Sequence, residues 1–245
     1  VLGSTHSSSA NQHSLWNIQT KTPEEEGMDY GQSFSFVWKD PDWIKKIAIA
    51  SIVVLVGVIT FGLALIPLGG WMVAIVRRVI RGEEPALAEW ADFGTLIIDG
   101  LKIVVVAIVW SIPLMLIVGC FSGIAAVVAN QDQAGTFTSI LSILNACVSL
   151  PYSLIVGLLL PASIGEIADH GQLAQALNPA NAFKLVRANP GGYIIVWLLA
   201  GIASGLLSFV GTLICIIGVF PAMAYASALT GHLYGQAYKV AQTAA

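Results

Sequence analysis

Residues 103–128 read IVVVAIVWSIPLMLIVGCFSGIAAVV, twenty-six consecutive positions without a charged side chain. A helix needs about 20 apolar residues to cross the hydrocarbon core of a bilayer. This stretch is long enough to cross with some tilt, and Pro113 predicts a bend within it. Working outward, similar runs flank it on both sides. Upstream, residues 47–76 are apolar and are broken near Gly62 and at Pro67-Leu68-Gly69-Gly70, which predicts a hairpin of two short spans, 44–61 and 63–81. Downstream, a fourth span is expected over 138–166, interrupted by Pro151 and Pro161. A last hairpin is expected over 193–213 and 216–238, with Gly218 and Pro221 in its turn region. The expected fold is all-α, a polytopic helical membrane protein with about six transmembrane helices, kinked spans and interfacial helices.

Charge supports an even number of spans. The eleven basic residues are Lys21, Lys39, Lys45, Lys46, Arg77, Arg78, Arg81, Lys102, Lys184, Arg187 and Lys239. With the hairpins drawn as above, all eleven fall on one side. The positive-inside rule makes that side cytoplasmic and places both termini there, in the cell membrane. One long span over 47–76 would instead divide Lys45 and Lys46 from Arg77, Arg78 and Arg81. In the hairpin, the arginines would snorkel to the interface.

Composition excludes other classes. The chain is 56% hydrophobic and 10% charged, with a mean hydropathy of +0.80. Soluble domains carry about 25% charged residues, so this chain lacks the surface for water. No basic surface for nucleic acid is present. Cys120, Cys147 and Cys215 lie in apolar runs without metal-type spacing and read as packing residues; a Cys120–Cys147 disulfide is a second reading. Residues 1–27 are polar and without apolar period, predicting a disordered extension ahead of a helical domain over 28–245. Met28 reads as the natural start, the alternative being that the tail is native. His6 and His13, two widely spaced residues of that tail, make no metal site.

The connecting segments carry most of the polar chemistry. Residues 82–102 form an inner loop whose Glu89-Trp90-Ala91-Asp92-Phe93-Gly94 is expected on the membrane surface. Residues 130–135 form the polar outer turn. Asn178-Pro179 opens an expected interfacial helix over 179–188, which stops at Asn189-Pro190-Gly191-Gly192. The lead-ins to the two hairpins, 36–43 and 183–190, are loosely alike, each with an aromatic, a base and a proline, and suggest a weak parallel repeat.

Phe34-Ser35-Phe36 with Lys39-Asp40-Pro41-Asp42-Trp43, and the run from Arg77 through Pro85 to Glu89-Trp90-Ala91-Asp92-Phe93, resemble a prokaryotic membrane-protein family known as domain of unknown function 4013. Asp99-Gly100-Leu101-Lys102 and Asn189-Pro190-Gly191 are similar too. Ala88 stands where that family commonly has proline. The resemblance covers roughly residues 28–238 and implies a polytopic membrane protein of bacteria or archaea. It supplies no activity and no site residues.

Asp99 and Lys102, three apart at the inner end of a span, are expected to pair. Glu166, His170 and His232 all fall near the inner face and read as interfacial polar groups; a metal or proton site would require them to meet. Asn145, deep in a span, is expected to bond a neighbouring helix. Tyr225, Tyr234 and Tyr238 suit an aromatic belt. Gly201 with Gly205, and Gly231 with Gly235, form two G-x-x-x-G pairs expected to pack helices, chiefly within the chain. No nucleophile triad, P-loop, dinucleotide fingerprint or zincin motif occurs in a suitable setting, so the expectation is a protein that is not an enzyme and takes no cofactor or metal. The expected partners are membrane lipids and other membrane proteins. The leading functional expectation is a non-catalytic scaffold or accessory subunit. The alternative is a permease for small or lipid-like solutes, motivated by spans broken at Pro67, Pro113, Pro151 and Pro221.

Overall fold

The computed structural model describes residues 28–128, 134–214 and 217–245. The expected tail and most of the outer turn lie outside the described residues. Among those described there are nine helices and no strand. Three of the helices are long and apolar enough to cross a membrane.

Helix α1 (Tyr30–Lys39) starts where the Asp29 carboxylate accepts from the Gln32 amide at 2.9 Å, and it stops before Pro41 with Asp40 extended. Helices α2 (Trp43–Ile59) and α3 (Leu65–Arg81) are 17 residues each, about 25 Å long. They are joined by a turn in which the Gly62 amide donates to Gly57 O at 2.7 Å. Gly62 sits at φ +92°, where a side chain would be strained, and Phe61 at the tip is fully exposed. Helix α3 ends at Gly82 with φ +68°, and Glu83 N donates back to Arg78 O at 2.9 Å, a glycine-closed terminus.

Helix α4 (Phe93–Val128) and helix α5 (Ala134–His170) are 36 and 37 residues long, each over 50 Å. The third span therefore begins ten residues before the expected Ile103. Its cap is Asp92, which accepts from the Thr95 hydroxyl at 2.6 Å and the Thr95 amide at 3.1 Å. Those bonds hold the Asp92 carboxyl below the usual carboxylate range. Pro113, Pro151 and Pro161 lie inside continuous helix rather than at breaks. Pro67 and Pro221 each occupy the third position of a helix. There the amide hydrogen has no intrahelical acceptor, so proline costs little.

Helix α6 (Leu173–Ala176) is a single turn. Helix α7 (Pro179–Ala188) has the expected bounds, with the Asn178 side chain accepting from the Ala180 amide at 3.0 Å. Helix α8 (Pro190–Leu213) follows at once, capped by Asn189, and helix α9 (Val219–Ala244) returns beside it. Both hairpins are thus preceded by a ten-residue helix, α1 and α7.

Helix α3 lies at the centre, against α4, α5 and α9, while α8 pairs with α9 and α2 packs on α9. The core gathers toward one end, around Trp71, Leu87, Ile75, Tyr193, Tyr238 and Ile167. Beyond Val106 no residue of α4 is buried, and before Leu159 only Leu141 of α5 is. The α4–α5 hairpin therefore continues past the bundle as a two-helix arm whose sides are apolar and, among the described residues, largely uncovered.

The small-residue pairs separate sharply. A Cβ at Gly231 or Gly235 would meet Met72, Val76 or Val79, so this pair seats α9 on α3. Gly201 and Gly205 have nothing within 4 Å, in place of the internal contact expected. They face outward because α9 takes the opposite side of α8, through Val196, Ala200 and Ala203.

Candidate functional site

The polar groups of the bundle collect at its packed end in four clusters. Lys46, on the first turn of α2, is buried, as is Asp40. Their side chains meet at 2.7 Å, and Lys46 also pairs with Glu89 at 2.5 Å and donates to Leu87 O at 3.2 Å. Trp90 stacks on Trp71 with centroids 5.1 Å apart. The Trp90 indole donates to Lys46 O and the Trp71 indole to Ala88 O. Residues 87–90 are thus a plug inside the protein, with Leu87, Ala88 and Trp90 buried. Of the stretch expected at the surface, Trp90 is therefore interior, while Glu89 and residues 91–94 are exposed. The stack on Trp71 and the bond to Lys46 O outweigh the interfacial preference of this tryptophan.

Asp99 anchors the second cluster. Its carboxylate holds Lys102 at 2.8 Å, as expected, and also Arg77 at 2.8 Å. Arg77 donates to Ala168 O at 2.9 Å, so one guanidinium ties α3 to α4 and α5. Arg78 pairs with Glu83 and donates to Leu87 O. The arginines therefore do not all snorkel: Arg77 and Arg78 turn to protein partners, and Arg81 is the more exposed of the three.

The three residues considered as a joint site divide between two places. Glu166 and His170 meet at 3.2 Å, one helical turn apart, with Asp169 at 3.6 Å from the same imidazole nitrogen. His232 instead takes Ser33 at 2.9 Å and lies against the Phe36 ring at 4.3 Å. Among the described residues no group of three His, Cys, Asp or Glu side chains is placed to hold a metal ion. Ser33 and His232 are a hydroxyl–imidazole pair, and both are buried.

Other expectations shift in the same direction, from interface to interior. Tyr238 is fully buried beside Gly165 and packs helices instead of joining a belt, whereas Tyr225 is half-buried beside Trp38 and donates to Phe34 O at 2.5 Å. Asn145 accepts from Ser149 on its own helix at 3.2 Å rather than from a neighbour. Cys120 and Cys147 are free thiols, and Cys215 lies outside the described residues.

Asp40, Lys46, Arg78 and the 87–90 plug were not singled out by the residue-by-residue reading. A signal existed: both motif stretches, 34–43 and 77–93, converge on this one cluster. Taken together the clusters join helices and loops to one another, and each carboxylate in them has a cation or hydrogen-bond donor beside it.

A family model described as a protein of unknown function (DUF4013) matches residues 43–216, from the start of α2 to the turn between α8 and α9. No curated protein and no solved structure matches the chain. The matched segment includes three of the four polar clusters almost entirely and takes in well over half the chain, so the protein belongs to the DUF4013 family.

Proposed function

We propose that this protein is a non-catalytic membrane scaffold or accessory subunit, which uses the α4–α5 arm to pack against other membrane proteins. The arm carries the reading. Among the described residues Leu141 is the one buried side chain of its outer halves, while its inner halves are fixed to the bundle by Arg77 and Asp99. An apolar notch of about 440 Å³ runs along Gly119, Cys120, Gly123, Ile124, Val127 and Val128. A Cβ at Gly119 or Gly123 would meet nothing, which leaves room for another helix to approach closely. The continuity of α4 and α5 through Pro113 and Pro151 weakens the motive for the permease reading, for which Pro67 and Pro221, beside the turns of the two other hairpins, remain.

Gentle extraction from the native membrane, followed by mass spectrometry, tests this reading. A stoichiometric membrane-protein partner is expected with the wild-type chain and is expected to be lost from G119L/G123L. Monodisperse protein carrying lipid alone would count against it.

The same proposal includes six membrane-inserted helices with cytoplasmic termini in the cell membrane. The turn at Phe61 is uncharged and bears a fully exposed aromatic ring, an arrangement suited to lipid more than to water. Single cysteines at Glu84 and Asp132, in a background without native cysteines, are expected to label from opposite sides of sealed vesicles. Labelling from one side would overturn the topology.

A further inference from the structure

Helix α7 presents two faces of opposite character. Ala182 and Leu185 are buried against the bundle, whereas Phe183, Lys184 and Arg187 point outward and are exposed. The Arg187 guanidinium lies 5.5 Å from the centroid of the Phe183 ring. No Asp or Glu occurs between residue 170 and residue 245. Among the described residues neither Lys184 nor Arg187 forms an ion pair, whereas Lys46, Arg77, Arg78, Arg81 and Lys102 each have a carboxylate partner. The exposed aromatics of α1 differ in this respect, since Asp29, Asp40 and Asp42 flank them.

We propose that the outward face of α7 docks the headgroups of anionic phospholipids. Position supports a lipid occupant. Asn189 is shared between the end of α7 and the start of α8, a helix apolar enough to cross a membrane, so α7 lies where the chain enters the bilayer. A short amphipathic helix at that depth places its aromatic ring among the upper acyl carbons and its cations at the phosphate level. With no acid on the same face, two positive charges remain for the lipid to neutralise. Each contributes about five-fold in preference for an anionic over a zwitterionic surface. The proposal needs the membrane but not the scaffold role, so a chain without a protein partner would still show it.

The test uses the full chain in nanodiscs of mixed phosphatidylglycerol and phosphatidylcholine, with spin-labelled versions of each lipid as reporters. The wild type is expected to retain the anionic lipid preferentially, and high salt to weaken that preference. K184Q/R187Q is expected to reduce the ratio of the two association constants tenfold or more, and K184R/R187K to preserve it. Both positions are exposed, so an unchanged melting temperature is expected to accompany the loss. Equal retention of the two lipids by the wild type would overturn the proposal, as would a preference that salt and the double neutralisation leave intact. An acidic protein seated on α7 in the cell would appear as the first of these failures.

Discussion

Lys46→Ala is expected to destabilise the bundle by about 3–5 kcal/mol, the range for removing one partner of a buried ion pair. The Asp40 side chain is only 1% exposed, so without Lys46 its charge would be held away from water with no cation beside it. The substitution also leaves Leu87 O without its lysine donor and loosens the plug that Trp71 and Trp90 cover. K46M/D40N is expected to recover most of the loss. Methionine fills the space of the lysine stem, and asparagine can still accept from the Asp42 amide, now donating to Asp40 at 2.8 Å. The pair itself is then a specificity device more than a source of net stability, because desolvation offsets much of its attraction. Denaturation of the purified protein in detergent, followed by tryptophan fluorescence, checks this directly through Trp71 and Trp90. Equal stability of K46A and K46M/D40N would show that charge burial is not what the lysine controls.

The second large effect lies where α3 crosses α4. A Cβ on Gly70 would fall inside the carbonyl oxygen of Leu96, and one on Gly100 inside that of Ile66. Backbone carbonyls cannot rotate away without breaking helix hydrogen bonds, so the two axes would have to separate. G100V and G70V are each expected to cost about 3 kcal/mol, the upper end for overpacking in a well-filled interior. The control is internal to the protein. G201A and G205A add a methyl group to open space and are expected to raise stability by up to about 1 kcal/mol, the direction set by helix propensity. Thermal unfolding of the four variants in one detergent distinguishes the sites. A loss at Gly201 equal to that at Gly100 would mean that glycine content, and not contact, sets the outcome.

The Gly201 and Gly231 pairs also show how far a sequence motif can be read. Both have the same spacing and the same kind of apolar neighbours. Spacing determines that two glycines share a helix face, since positions four apart stack along it. It does not determine what that face meets. Gly231 and Gly235 meet α3 because α9 lies between α2, α3 and α8. Gly201 and Gly205 sit on the outer side of a peripheral helix.

The sequence by itself determined the elements. Apolar length predicted long helices at α4, α5 and α8. Gly62 located the turn, whereas the second break expected at Pro67-Leu68-Gly69-Gly70 falls inside α3. An Asn-Pro step fixed the start of α7 to the residue. These features are local: they depend on a few neighbouring residues and on the obligation of each backbone amide to find an acceptor. Tertiary structure alone decided which polar groups are interior. Lys46, Arg77 and Trp90 carry the same side chains as residues that snorkel or float at an interface. Their placement depends on partners elsewhere in the chain: Asp99 and Ala168, 22 and 91 positions away, for Arg77, Lys46, 44 positions away, for Trp90, and Leu87 O, 41 positions away, beside the nearer Asp40 for Lys46. A charge is tolerated in the interior only where a distant segment delivers the opposite charge or a carbonyl, and the folded arrangement of helices supplies that condition.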